Sequence, residues 1–172
     1  MSTLSPAREQ VLLLEGLKLF RRGKARDMYE LDDGLMLIYA TDAAFAFDIS
    51  LDALIPQKGM VLTALSHFWF TRLEKDLGIK THLVAAGAGI DTYIPQPLRR
   101  NPELQARSMV VLRLDMILVQ FIARGFLAGS IFSSYQTLGV AHGHTLPLGL
   151  QEGDQLPVAI DTPTTKSYEG PD

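Results

Sequence analysis

Short, mainly apolar runs, separated by polar or turn-forming residues, occupy the first 45 residues of the chain. Three such runs are LKLFR (17–21), ARDMYEL (25–31) and LMLIYAT (35–41). Asp33-Gly34 separates the last two runs, and glycine accepts the positive φ angle that a tight hairpin turn requires. The pattern therefore predicts three strands that form an antiparallel meander.

A helical pattern of apolar residues follows over 59–78. Val61, Leu65, Phe68, Trp69, Leu73 and Leu77 recur at steps of three and four residues, and Gly78 is a C-terminal stop signal. We expect the aromatic cluster of this helix to lie in the core. A shorter helix is predicted for 6–15, with Pro6 in its first turn.

Shorter patterns occupy the rest of the chain. The segment 107–125 is rich in β-branched residues and lacks a helical period, which predicts two strands broken near Leu114-Asp115. The segment 128–139 predicts a helix opened by Gly129 or Ser130. After residue 140, repeated prolines and glycines favour a loop.

Composition and charge narrow the classes of function. A chain of 172 residues with a net charge of -3 can bury one core or two small lobes, and it has no general affinity for nucleic acid or anionic membranes. The lack of cysteine excludes thiol nucleophiles, disulfides and thiolate zinc sites. No run approaches the ~20 apolar residues of a membrane span. We expect a soluble, cytoplasmic protein whose anion sites are local.

The stretch RRGKAR offers one candidate anion site. Lys24 and Arg26 share one face of a predicted strand, next to Gly23. A phosphate could approach the glycine backbone while the two cations neutralise it, or the cations could form a solvated face of a basic hairpin. The stretch is not a Walker A loop, since it lacks the G-x-x-x-x-G-K-[ST] pattern. The residues alone leave both readings open.

A second candidate is ARGFLAGS, where Arg124 precedes Ser130 by six residues. A guanidinium beside the free N–H groups of a helix N-terminus suits a phosphate or a carboxylate. The alternative is a structural arginine that is buried, with serine as the helix N-cap.

Carboxylates and a lysine lie in two further polar stretches. TDAAFAFD places Asp42 and Asp48 at the end of an apolar strand, where they could bind a metal, orient a substrate or cap a turn. TPTTKSYEG holds Lys166 in a loop that suits a lid, or simply an exposed lysine. No residue is assigned as a metal ligand.

The order of these motifs resembles a known family. RGKARDMYE, ATDAAFAFD, IPQKGMVLTALSHFWF, RLDMILVQFIARGFLAGS, LPLGLQEGDQLP and DTPTTKSYEG are similar to segments of the phosphoribosylaminoimidazole-succinocarboxamide synthase family, or SAICAR synthetases, from about residue 17 onward. The resemblance implies an α+β fold. An antiparallel N-terminal lobe packed with helices would cover 1–113, the start of a second, substrate-binding lobe would cover 114–172, and ATP would bind in a cleft between them.

The same resemblance implies an activity. Members are ATP-dependent carbon–nitrogen ligases of de novo purine biosynthesis, which join L-aspartate to carboxyaminoimidazole ribonucleotide and release SAICAR, ADP and phosphate, with Mg²⁺ neutralising the phosphates. The implied partners are therefore small molecules, with no nucleic acid and no membrane. The implied site residues are Gly23, Lys24, Arg26 and Met116 for the nucleotide, Lys58, Arg124 and Ser130 for the substrates, and Asp48 and Lys166 for catalysis.

Departures from the family pattern modify this expectation. Phe45 replaces a serine, Ala43 an arginine, Gln120 a glutamate, and Pro171-Asp172 a His-Asp pair. A metal-binding acidic strand and a DSSR-like segment, which follow in the family, do not appear before the end of this sequence. We expect a C-terminally truncated member with impaired activity, forming a homo-oligomer or completed by another chain. The alternatives are a degenerate, non-catalytic nucleotide-binding or interaction module and half of a split enzyme.

Overall fold

A computed structural model of the chain describes residues 14–46 and 49–165. These residues divide into two units, the first ending at Asp115 and the second beginning at Met116. The predicted helix over 6–15 lies almost entirely outside the described residues.

Seven strands form in the first unit. They are β1 (Lys18–Arg22), β2 (Arg26–Glu30), β3 (Leu35–Ala40), β4 (Ala43–Ala46), β5 (Ile49–Leu54), β6 (Leu83–Ala86) and β7 (Ser108–Leu112). Five of them make an antiparallel sheet in the order β1-β2-β3-β7-β6, while β4 and β5 pair separately as a hairpin. The predicted meander of β1 to β3 is therefore confirmed.

The turn between β2 and β3 has the geometry that its sequence predicts. Asp33 and Gly34 adopt φ angles of 59° and 72°, and the Leu35 N–H donates to the Asp32 carbonyl at 3.2 Å. Two consecutive positive φ angles define the hairpin turn that favours Asp-Gly. This turn fixes the register in which Glu30 lies opposite Met36.

Helix α1 (Lys58–Leu77) covers the segment predicted as helical. It ends at Gly78, whose φ is 64°. The N–H of Gly78 donates to Glu74 and that of Ile79 to Leu73, at 3.1 and 3.2 Å. This pair of bonds satisfies carbonyls that the last helical turn would otherwise leave without partners. The predicted stop at Gly78 is confirmed.

Both faces of the five-stranded sheet carry apolar residues, because successive side chains of a strand point to opposite sides. One face contributes Tyr29, Leu37 and Val110 to a buried cluster with Ile90, Ile94 and Leu104. Those last three residues come from the 3-10 turn Gly87–Thr92, the loop after it and helix α2 (Pro102–Arg107). The other face packs Met36, Met109 and Val111 against Phe70 of α1.

The aromatic cluster of α1 is not in the core, so the prediction for it is wrong. Phe68 and Trp69 are 50% and 57% exposed, whereas the buried residues of α1 are Gly59 and Thr63. The Thr63 hydroxyl donates to the Arg107 carbonyl at 2.9 Å. The side of α1 that faces the sheet therefore carries the small residues Gly59 and Thr63 together with Phe70, whereas Phe68 and Trp69 face outward.

Smaller elements make up the second unit. They are β8 (Val119–Gln120), β9 (Ala123–Phe126), α3 (Ser130–Leu138), β10 (Val140–Ala141), β11 (His144–Thr145), β12 (Gln155–Asp161) and β13 (Thr164–Thr165). β9 pairs with β12, β8 with β13 and β10 with β11, all antiparallel. Their core contains Leu127, Ile131, Tyr135, Ala141, Leu146, Leu156 and Ile160.

Two predictions for this region have different outcomes. Helix α3 begins at Ser130 with Gly129 as its N-cap, as the sequence predicts. The prediction of a loop after residue 140 is wrong, because Gln155–Asp161 form the seven-residue strand β12. Among the helices that the structure describes, none is long and apolar enough to cross a membrane.

Candidate functional site

The turn between β1 and β2 carries the first predicted site. Its Gly23 N–H donates to the Arg26 carbonyl at 2.8 Å. A Cβ atom at position 23 would lie 2.7 Å from that same oxygen, so a side chain would not fit without a backbone shift. Glycine is thus required by the hairpin itself. The side chains of Lys24 and Arg26 are exposed beside it.

Another cation of the same hairpin, Arg22, faces inward. Arg22 lies opposite Asp27 in the β1–β2 register, with its Nε 3.7 Å from a carboxylate oxygen of Asp27. The Asp27 side chain is fully buried. The hairpin therefore separates its cations: Arg22 balances a buried carboxylate, whereas Lys24 and Arg26 present their charge outward.

Asp42 is the centre of the most highly connected polar group in the first unit. Its two carboxylate oxygens accept hydrogen bonds from Nη1 and Nη2 of Arg107 at 2.5 and 3.0 Å. The backbone N–H groups of Gly59 and Gln57 donate to the same carboxylate at 2.9 and 3.3 Å. Asp42 thereby satisfies N–H groups at the start of α1, where no side chain of the helix does so.

These contacts change the titration of Asp42. The hydrogen bond from Arg107, supported by the N–H of Gly59, holds the pKa of the Asp42 carboxyl below its ordinary value against the opposing effect of burial. Of the roles left open by the sequence, capping is the one that this geometry displays. Sequence reasoning missed Arg107, which lies 65 positions away. No local pattern marks it.

Lys58 is the first residue of α1. Its Nζ donates to the Ala43 carbonyl at 2.6 Å, which places the ammonium group at the entrance of the β4–β5 hairpin. Asp48 and Lys166 lie outside the described residues. Met116 is 67% exposed in the irregular segment before β8.

Arg124 lies on β9 and is held from one side. Its Nε donates to the Thr162 hydroxyl at 3.0 Å, and that hydroxyl donates in turn to the Ile122 carbonyl at 3.2 Å. Thr162 is fully buried, whereas Arg124 is only partly buried. Among the described residues, no hydrogen bond or ion pair engages the Nη groups of Arg124, which are therefore available to a ligand. Ser130 is exposed at the first turn of α3, in the same unit.

The described residues do not fit a protein-held metal ion. Within 14–46 and 49–165, no three His, Asp or Glu side chains come close enough together to hold one. Magnesium is bound through carboxylates, phosphates and water, and the carboxylate of Asp42 is already occupied by Arg107 and two backbone groups. The described residues therefore assign no catalytic step to a metal ion held by the protein.

Concave surface in the first unit lies away from the predicted residues. A cavity of about 560 Å³ is lined by Asp91, Thr92, Gln96, Arg99 and Arg100. None of the site residues predicted from the sequence lines it. The predicted site residues that the structure describes therefore do not form this cavity, and they are distributed over the two units.

Comparison with known families identifies the family of the chain. The sequence profile of the SAICAR synthetase family matches residues 19–172. The chain belongs to that family. The match includes the β1–β2 hairpin, the Asp42 cap and both segments of the second unit that hold Arg124 and Ser130.

Similar relatives carry the same family name. The chain is 45% identical over 160 residues to the phosphoribosylaminoimidazole-succinocarboxamide synthase of Thermodesulfovibrio yellowstonii, covering 92% of this chain and 53% of the relative. It is 40% identical over 159 residues to the Saccharomyces cerevisiae synthase, covering 90% of this chain and 51% of the relative. The chain thus spans about half the length of the curated relatives it matches.

Solved structures confirm the α+β fold class. The SAICAR synthase from Saccharomyces cerevisiae, in complex with SAICAR, superposes with a TM-score of 0.80 at 40% identity over 89% of this chain and 52% of that one. A SAICAR synthetase in complex with ADP superposes with a TM-score of 0.62 at 28% identity, over 87% of this chain and 51% of that one.

Proposed function

We propose that this chain is the part of an ATP-dependent ligase that binds the nucleotide phosphates and the ribotide. The ligase joins L-aspartate to carboxyaminoimidazole ribonucleotide and releases SAICAR, ADP and phosphate. The observation that carries the proposal is the family match over 19–172. Relatives solved with SAICAR and with ADP support the two ligand classes. The proposed location is the cytoplasm.

On the nucleotide side, Lys24 and Arg26 neutralise phosphate oxygens. Both side chains are exposed at the β1–β2 turn, and Gly23 keeps the backbone of that turn tight. Ammonium and guanidinium groups make charge-assisted hydrogen bonds to phosphate that are about twice as strong as neutral ones. Met116 offers an exposed apolar surface for the adenine.

On the substrate side, Arg124 binds the ribotide phosphate or a carboxylate. Thr162 holds Nε and so fixes the plane of the guanidinium, which presents the two Nη groups as a fork suited to an anion. Ser130 and Lys58 are the other proposed substrate contacts, and Asp48 and Lys166 complete the proposal as catalytic groups.

The proposed chemistry requires positioning and charge neutralisation more than a protein nucleophile. The γ-phosphoryl group of ATP moves to a carboxylate oxygen of the ribotide, and ADP leaves. The aspartate amine then forms the new C–N bond as the C–O bond to phosphate breaks, and the nitrogen loses a proton. Lys24, Arg26 and Arg124 would hold the anionic groups during these steps.

The nucleotide assignment predicts that the 172-residue chain binds ATP. Lys24→Ala and Arg26→Ala should each weaken ATP binding about tenfold, or ~1.4 kcal/mol, because each removes one charge-assisted contact. Isothermal titration calorimetry measures the dissociation constants. Lys80→Ala, which removes an exposed lysine of the same unit, is the matched control. Absence of ATP binding by the folded chain, or an equal loss in Lys80→Ala, would refute the assignment.

The substrate assignment predicts a distinct anion site in the second unit. Arg124→Lys should weaken binding of ribose 5-phosphate about tenfold, or ~1.4 kcal/mol, because lysine keeps the charge and loses the fork. ATP affinity should stay unchanged in the same variant. Arg113→Lys serves as the control, since Arg113 is an exposed arginine of the first unit. Equal ribose 5-phosphate binding by Arg124→Lys and the unmodified chain would count against this role.

A further inference from the structure

Helix α1 exposes an apolar surface that the proposed function does not use. Five large apolar side chains on its outward side are at least half exposed: Val61, Leu65, Phe68, Trp69 and Leu77. Val61, Leu65, Phe68 and Trp69 follow one another at helical spacing and form a single stripe. We call these four residues the outer stripe.

The outer stripe is organised rather than scattered. The rings of Phe68 and Trp69 contact each other edge to face, with centroids 5.2 Å apart. The guanidinium of Arg72 lies over Phe68, 5.9 Å from the ring centroid. Ile55, just before α1, is also 50% exposed and extends the apolar surface toward the helix N-terminus.

The opposite side of α1 already packs on the sheet. Phe70 joins the cluster of Met36, Met109 and Val111, and Thr63 bonds to the Arg107 backbone. Because this side of α1 already packs on the sheet, the outer stripe is a second apolar side of the same helix. A surface helix carries one apolar side, whereas a helix that is apolar on both sides is normally buried between two layers. An exposed apolar patch of this kind marks a site of interaction.

We propose that the outer stripe is the docking site for the part of a SAICAR synthetase polypeptide that lies outside the region matched by this chain. The match covers only 51–53% of the relatives, so nearly half of each relative is polypeptide that must pack somewhere on the matched half. The outer stripe gives that polypeptide an apolar helix face as its counterpart. Burial of Trp69 and Phe68 provides the aromatic anchors typical of such contacts.

The charge pattern of α1 argues against a second copy of this chain as the occupant. Its C-terminal half carries Arg72, Glu74, Lys75 and Asp76, while its N-terminal half is apolar on the outward side. If two α1 helices paired antiparallel about a two-fold axis at their midpoint, Glu74 and Lys75 would lie opposite Val61 and Met60. Burying charges against apolar side chains without partners is costly.

Trp69 is the only tryptophan in the chain and reports directly on the outer stripe. The remaining part of the Thermodesulfovibrio yellowstonii relative, with its tryptophans replaced by phenylalanine, would be co-expressed with this chain and also joined to it as a single polypeptide. We expect the Trp69 emission maximum to move to shorter wavelength and acrylamide quenching to be lost in both forms. Leu65→Glu should weaken the two-chain complex at least about 30-fold, because it places a charge in the contact.

Val158→Glu is the matched control, because Val158 is an equally apolar side chain that is 74% exposed in the second unit. Circular dichroism checks that each variant is folded, and Leu65→Gln replaces Leu65→Glu if the glutamate variant does not fold. A folded single polypeptide in which acrylamide quenches Trp69 as strongly as in the chain alone would overturn the proposal. So would a shift of Trp69 emission that depends on the concentration of the chain alone, because that result identifies a second copy as the occupant.

Discussion

Replacing Asp42 by alanine is expected to lower the free energy of unfolding by about 3 kcal/mol, the lower end of the usual cost of breaking a buried ion pair. The lower end applies because Glu103 still accepts a hydrogen bond from Nε of Arg107. The Arg107 side chain is only 8% exposed and that of Asp42 15%. The substitution also removes the acceptor for the Gly59 and Gln57 N–H groups at the start of α1. Domains are usually stable by only about 5–15 kcal/mol, so the variant should lose a large part of its stability at 25 °C.

A double-mutant cycle measures how much of this effect belongs to the pair. Chemical denaturation would be followed for Asp42→Ala, Arg107→Met and the double variant. We expect the double variant to be more stable than the sum of the single losses predicts, because it buries no unpaired charge. The control is the exposed pair Arg72–Asp76, whose N–O distance of 2.6 Å is similar but whose side chains are 58% and 40% exposed.

Asp76→Ala should cost at most about 0.5 kcal/mol, as is usual for exposed pairs on a helix. Equal losses in Asp42→Ala and Asp76→Ala would contradict the central role of the Asp42–Arg107 pair. The comparison is informative because both pairs join an arginine to an aspartate at hydrogen-bonding distance, so that burial and the two backbone bonds are the main differences.

The Asp42 carboxyl also makes stability depend on pH. Its pKa is lower in the folded chain than in the unfolded chain, mainly because of the hydrogen bond from Arg107. The unfolded value is about 3.9. Its contribution is therefore fully present above that pH and is lost as the pH falls through the folded pKa. Below about pH 4, stability should decline more steeply in the unmodified chain than in Asp42→Asn.

The sequence predicts elements whose signals are local. Asp33-Gly34 fixes one hairpin, Gly78 ends α1, and Gly129 with Ser130 opens α3. Each of these features depends on the backbone preferences of one or two residues. They are correct because few alternatives compete with a positive φ angle or a helix cap.

The burial of α1 could not be predicted in this way. Apolar periodicity correctly predicts the helix, but it also assigns Phe68 and Trp69 to the core, which is wrong. The side of α1 that is buried depends on the contact between Asp42 and Arg107, which are far apart in the sequence and meet only in the folded chain. Small residues such as Gly59 allow that close approach, and a hydrophobic pattern gives them no weight.

Strand β12 was missed for a different reason. Pro157 lies in the strand, and proline normally argues against one. Among the described strands, β12 pairs only with β9, and the register shifts between Gln155 and Ile160. An irregular two-stranded pair tolerates a residue that cannot donate a ladder hydrogen bond. Burial of Leu156 and Ile160 then holds the strand in place.

Gly59→Ala is expected to destabilise the chain by about 3 kcal/mol, the upper part of the usual range for an overpacked site. A Cβ atom at this position would overlap the Ala40 carbonyl oxygen and lie 2.8 Å from Nη1 of Arg107. The first contact is with backbone, which cannot rotate away. The helix must therefore shift from β3, and the shift stretches the bonds from Gly59 and Arg107 to Asp42.

Helix propensity alone predicts that Gly59→Ala would stabilise the chain, because alanine in a helix is favoured over glycine by about 1 kcal/mol. Gly89→Ala provides the matched control: Gly89 lies in the 3-10 turn Gly87–Thr92, and its Cβ would meet only the Ala85 Cβ, at 3.6 Å. Thermal and chemical unfolding should therefore separate the two variants clearly. A Gly59→Ala chain as stable as Gly89→Ala would mean that α1 can move away from the sheet without loss. In that case, the close approach at Gly59 would not be what selects the buried side of the helix and turns the outer stripe outward.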